Sequence, residues 1–155
     1  MAFELTSEAF EEGATIPVRY TCEGEDVSPP VAWSGAPEDT QSFALVVEDP
    51  NAPRGAFDHW IVYDIPPHAA ALPEDLGDSP RLENLGESLQ GKNDFGKVGW
   101  GGPCPPPGRP HRYVFRLYAL DAVPGLDPGV KREALERALA GHVLATAELS
   151  GTFGR

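Results

Sequence analysis

Short runs in which apolar and polar residues alternate, cut apart by glycine and proline, make up most of the chain. Phe3–Thr6, Pro17–Thr21, Val31–Ser34, Ser42–Asp49, His59–Ile65, His111–Leu120 and Val143–Ser150 read as strands, divided by turns such as EGED, SGAPEDT and DPNAPRGAFD. One segment has a different period. VKREALERALAGH brings Val130, Ala134, Leu135, Ala138 and Leu139 to one face at helical spacing, and Gly141 stops it. A shorter helical turn is expected around Pro73 to Leu76, and 77–102 is too rich in glycine and polar residues for long regular elements. The pattern predicts a mainly β, antiparallel sandwich with one or two peripheral helices, formed as a single domain over 1–155.

Alternation also says which polar groups emerge from the apolar faces. Phe43, Leu45, Val47 and Asp49 share one face; His59, Ile61, Tyr63 and Ile65 share another; His111, Tyr113, Phe115, Leu117 and Ala119 share a third. Each apolar face finishes in an ionisable residue. Asp49 closes its strand and His59 opens the next, so antiparallel pairing brings both to one end of the sheet, and His111 joins them if its strand runs the same way as that of His59. A carboxylate beside two imidazoles orients the rings and favours their charged form, leaving N–H groups aimed at an anion. The expectation is a small anion pocket with both histidine pKa values raised. Ahead of His111 stands GGPCPPPGRP, whose prolines fix φ and whose glycines permit close approach, a stiff rim that delivers the histidine already placed.

Composition narrows the partners. Apolar residues make up 41% of the 155, enough for a core, and no run approaches the ~20 residues of a membrane span. The formal net charge is −12, from 24 acidic and 12 basic residues, so nucleic acid and anionic membranes are not expected partners. The N-terminal residues lack the basic and apolar regions of a signal peptide, which points to the cytoplasm. The two cysteines, Cys22 and Cys104, stand in no CxxC, and the expectation for that compartment is two reduced, buried thiols.

The blocks YTCEGEDVSPPVAWSGAP, SFALVVEDPNAP, DHWIVYDIP, GKNDFGKVGWGGPCPPPGRPHRYVFRLYAL and GHVLATAELSGTFGR resemble, in order and across nearly the whole chain, the phosphatidylethanolamine-binding protein family in its bacterial and archaeal Raf-kinase-inhibitor-like branch. The resemblance implies a β-sandwich with a pocket for phosphate-like or carboxylate groups. It assigns to that pocket Asp49 of DPNAP, His59 of HW, His111 and Tyr113 of HRY, and a wall of Gly102, Pro103 and Pro106. It also implies a cis Ala52–Pro53 bond, Cys22 and Cys104 near the pocket wall, and an open, shallow site without the C-terminal helical lid of animal relatives. Trp100 stands where the family usually has tyrosine, which would alter the rim.

Other chemistries find less support. Asp49, His59 and His111 are the ligand types of a non-haem iron site, and PPGRPH imitates a cupin metal motif, but the HxH pair is missing and Arg112 opposes a dication. GESLQGKN offers Asn93 where a P-loop needs Ser or Thr, and no apolar strand precedes it. No G-x-S-x-G occurs, and Ser28, Ser34 and Ser88 sit in turns or loops. The sequence therefore predicts a non-enzymatic binder of a small phosphorylated or carboxylated group, with neither cofactor nor metal. A protein-interaction role, inhibiting a kinase or protease, is the alternative, and a homodimer is left open.

Overall fold

The computed structural model describes residues 2–155. Among the described residues nine strands form two antiparallel sheets. The smaller holds β1 (Glu4–Thr6), β2 (Val31–Ser34) and β5 (Ala71–Leu72) in the order β1-β2-β5. The larger holds β3 (Ser42–Asp49), β4 (Phe57–Ile65), β6 (Arg81–Leu82), β7 (Ser88–Gln90), β8 (His111–Leu120) and β9 (Val143–Phe153) in the order β6-β7-β4-β3-β8-β9.

The larger sheet is covered on both faces. Phe43, Leu45, Val47, Trp60, Val62, Phe115 and Leu117 pack against Leu5, Val31, Trp33 and Leu72 of the smaller sheet. On the opposite face Ala44, Val46, Ile61, Tyr63 and Leu120 pack under Leu135 and Leu139 of α1 (Arg132–Leu139), the one α-helix among the described residues. This is why β3 is buried along its whole length: it lies at the centre of the sheet, with β4 and β8 as neighbours. An ion-paired cluster ties α1 down as well. Arg132 Nη1 donates to Glu48 Oε2 at 3.0 Å and to Asp58 Oδ1 at 2.7 Å, and Arg116 Nη1 donates to Glu48 Oε1 at 2.7 Å.

Three sequence expectations are corrected. Pro17–Thr21 is not a strand: Val18–Tyr20 is a 3-10 turn in which the Tyr20 N–H reaches Pro17 O at 3.1 Å and the Thr21 hydroxyl bonds Val18 O at 2.9 Å, a local closure that competes with sheet pairing. Pro73–Leu76 forms no helical turn; the second 3-10 turn is Glu83–Leu85. The Ala52–Pro53 bond is trans, as is every described peptide bond.

Strict alternation holds on β3 and fails on β4. Val47 faces Trp60 and Glu48 faces Asp58, so His59 has no counterpart and is the extra residue of a β-bulge. Near the other end Leu45 faces Val62 and Phe43 faces Ile65, so Tyr63 and Asp64 share the place opposite Ala44, with Asp64 at φ 53°. Two bulges change the face twice. Ile61 and Tyr63 lie on the helix side, whereas Ile65 lies with the inter-sheet core and His59 turns to the face that carries Asp49.

Candidate functional site

Because β3 is antiparallel to both β4 and β8, the end of β3 and the starts of β4 and β8 meet at one edge of the large sheet. A cavity of about 130 Å³ opens there. Asp49, His59, His111 and Tyr113 line it, together with Pro106.

Asp49 is 3% exposed and both its oxygens are used. Oδ1 accepts the Asn51 N–H at 2.9 Å, and Oδ2 accepts from His111 Nδ1 at 2.5 Å. The aspartate is thus a positioning group: it fixes the imidazole of His111 with Nδ1 protonated and Nε2 left for the pocket.

His59 does not share that carboxylate. Its Nδ1 bonds the carbonyl of Gly101 at 2.6 Å, and the Gly101 N–H returns to His59 O at 2.9 Å, so ring and backbone are held by one residue. A carbonyl can only accept, which places the proton on Nδ1. The ring is 4% exposed and sits among Phe57, Phe95 and Tyr113, with centroid distances of 5.0, 5.5 and 5.1 Å. Burial pushes its pKa below the usual 6.5, against the opposing pull of the Gly101 carbonyl and of Asp49, Asp26 and Asp94. The expectation of two charged histidines is therefore corrected for His59, which is neutral at neutral pH.

Tyr113 carries the third polar group. Burial, reinforced by the charge of Asp49, pushes its hydroxyl well above the usual tyrosine range, so it stays protonated and able to donate. Its ring stacks on His111 at 6.5 Å and meets His59 edge-on.

The wall differs in detail from expectation. Gly102 and Pro103 stand behind it, and the lining comes from Cys104, Pro105 and Pro106. Gly102 donates its N–H to Asp26 Oδ1 at 2.8 Å and lies so close to Tyr20 O and that carboxylate that a Cβ would collide with both. The Pro103 carbonyl accepts the Cys22 N–H at 3.1 Å, Arg155 Nε donates to Pro105 O at 2.7 Å, and the Gly108 N–H reaches Arg155 O at 3.1 Å. The rim is pinned from several sides. Trp100, expected to alter it, points into the core instead, edge-on to Trp60 at 5.5 Å, with Nε1 on Tyr20 O at 3.0 Å.

Cys22 and Cys104 are not free thiols. They form a disulfide with Cα atoms 5.4 Å apart, and both residues are exposed. A separation of 82 residues in sequence conceals the proximity, because the GPC rim folds back onto the turn after Val18–Tyr20. The expectation of two reduced, buried thiols, which rested on a cytoplasmic setting, is thereby corrected. No helix among the described residues is long and apolar enough to cross a membrane.

Sequence reasoning missed Phe57, Phe95, Ala52 and Pro53, which complete the lining. Phe57 had a signal, since it stands two residues before His59. Phe95 had only its oddity as an aromatic in a KNDFGK turn. That turn is built by Asn93, which bonds the Gly99 carbonyl at 2.8 Å and the N–H groups of Phe95 and Lys97 at 2.9 and 3.2 Å. Asn93 therefore shapes a loop rather than a phosphate cradle. Among the described residues no cluster of three or more His, Cys, Asp or Glu side chains could hold a metal.

Comparison with known proteins agrees with this architecture. The family model described as phosphatidylethanolamine-binding protein matches residues 6–154. A UPF0098 protein of Methanothermobacter thermautotrophicus is 47% identical over 151 residues, 97% of this chain and 98% of the relative. One from Aquifex aeolicus is 46% identical over 98% of this chain and 88% of its own length. The crystal structure of a phosphatidylethanolamine-binding protein homologue from Chlamydia trachomatis superposes with a TM-score of 0.89 at 41% identity, covering 99% of this chain and 98% of that one. An E. coli structure, described as a new member of the mammalian PEBP family, gives 0.91 at 35% identity, covering 100% and 99%.

Proposed function

This chain is a member of the phosphatidylethanolamine-binding protein family, and from that premise we propose that it is a non-enzymatic binder of a small phosphoryl or carboxylate group at the edge of its large sheet. The observation that carries the reading is the convergence of the free ring edges of His59 and His111 with the Tyr113 hydroxyl on one small cavity, each held by a separate constraint. Such preorganisation lowers the entropy cost of binding. His111, oriented by Asp49, and the Tyr113 hydroxyl are the polar groups that meet the ligand, and Phe57, Phe95 and the prolines keep water from competing.

Both oxygens of Asp49 are engaged, one by the Asn51 N–H and one by His111 Nδ1, which suits it to orient the ring.

Titration calorimetry with inorganic phosphate tests the reading. His111→Ala removes a charge-assisted hydrogen bond worth about 1.5–3 kcal/mol, so affinity should fall about tenfold or more; Tyr113→Phe should cost less. Equal affinity in wild type and His111→Ala would move the ligand elsewhere.

A further inference from the structure

Pro103, Pro105, Pro106, Pro107 and Pro110 have no N–H to give, so the rim cannot join a sheet and its place depends on ties to other parts of the chain. Those ties are unevenly spread. Ahead of Cys104 the rim is held by the Gly101 carbonyl on His59, by the Gly102 N–H on Asp26, and by the Pro103 carbonyl, which accepts the Cys22 N–H. Between Cys104 and the start of β8 the hydrogen bonds among the described residues go to Arg155 alone, whose Nε donates to Pro105 O and whose carbonyl accepts the Gly108 N–H. The disulfide is the covalent tie, and Cys104 stands in the cavity lining beside Pro105 and Pro106.

The other half of the disulfide rests on a turn that closes on itself. The Thr21 N–H and hydroxyl bond Val18 O, the Gly24 N–H bonds Thr21 O, the Asp26 N–H bonds Arg19 O, and Trp100 Nε1 bonds Tyr20 O. This turn keeps its shape whether or not the sulfurs are joined. Both cysteines are exposed, and exposed disulfides are the ones open to exchange with external thiols.

We propose that Cys22–Cys104 is a reversible thiol switch on the cavity wall: a dithiol reductant opens it in the folded protein and frees the 104–109 stretch from the 18–26 turn. One thiolate of the dithiol attacks a cysteine sulfur, the S–S bond breaks, and the departing cysteine thiolate takes up a proton. The second thiol of the dithiol then displaces the mixed disulfide. Two electrons and two protons pass to the protein, which gains two thiols while the dithiol becomes a disulfide. Prolines on either side of Cys104 restrict the freed stretch, so it swings as a stiff piece instead of collapsing. The change in the wall does not depend on what the cavity binds; the loss of affinity that accompanies it rests on the anion-binding reading above, through lost preorganisation.

Treatment of the native protein with dithiothreitol, with thiols trapped by an alkylating reagent and weighed by mass spectrometry, is the first arm of the test; amide exchange followed by NMR is the second. Two alkylated cysteines are expected without denaturant, with re-formation of the disulfide when oxidised dithiothreitol is supplied. In the reduced protein the Gly108 amide should exchange about tenfold faster or more, while the amides of Val46 and Phe115 keep their rates. Calorimetry with inorganic phosphate should then show affinity about threefold weaker or less favourable still than in the oxidised form. The double variant Cys22→Ser, Cys104→Ser should match the reduced protein and ignore the dithiol. Alkylation only on unfolding, an unchanged Gly108 rate after reduction, or exchange that quickens at Val46 and Phe115 as well would each overturn the switch. Equal phosphate affinity in the two forms would overturn its control of the site. Phosphate bound by neither form, with Gly108 still quickened, would overturn the anion reading and leave the switch standing.

Discussion

At the scale of single residues, the site turns on which partner each histidine is given. His59, near the start of β4, and His111, which opens β8, both donate through Nδ1, yet one leans on a backbone carbonyl and the other on a carboxylate. Burial of His59 also leaves a mark on stability. Its folded pKa lies below 6.5, so the unfolded chain binds more protons between the two values, and stability rises with pH there. The contribution is intact above about 6.5 and is lost as pH falls through the depressed folded value. Urea denaturation should give a lower midpoint at pH 5 than at pH 7, and His59→Gln should shrink that difference. An unchanged difference in the variant would assign the acid sensitivity to other groups. Asp49, His59, His111 and Tyr113 were legible because alternation and chain reversal are enough to gather them. The Gly101 carbonyl was not, since backbone atoms carry no signature in sequence.

At the scale of elements, the rim 101–108 and strand β4 decide the geometry. The bulge at His59 is one unpaired residue, and one residue is enough to exchange faces. Alternation therefore grouped His59 with Ile61 and Tyr63, which lie across the sheet from it. No residue in DHWIV announces the bulge; it follows from how β4 must register against β3. The rim's stiffness was legible in its prolines, but its fastening was not, because Cys22, Asp26 and Arg155 approach it from remote parts of the chain. The disulfide closes a loop of 82 residues, which in the chain-entropy treatment is worth about 4.5 kcal/mol. Replacing both cysteines by alanine should lower Tm by about 10–15 °C and weaken phosphate binding by loosening the wall that Cys104 forms. Calorimetric melting that moved by only a degree or two would mean the other fastenings hold the rim unaided.

At the scale of the molecule, the large sheet separates two tasks. One face builds the inter-sheet core and, at its edge, the cavity; the other anchors α1 through Leu135, Leu139 and the Glu48–Arg132–Asp58 cluster. The polar groups of the site thus stand on β3, β4 and β8, and loop residues complete its wall. A chain of net charge −12 repels anions at long range, so recognition depends on donors gathered at short range within the cavity. The chain contains its own controls for this claim. It has four histidines, of which His59 and His111 line the cavity while His68 and His142 lie outside it. Long-range proton–nitrogen NMR of the imidazoles, followed through a titration with inorganic phosphate at constant pH, tests the claim most directly. The Nε2 resonances of His59 and His111 should shift along one saturable isotherm, with His59 Nδ1 protonated throughout and His68 and His142 unmoved. Shifts shared by all four histidines, or absent from His59 and His111, would contradict it.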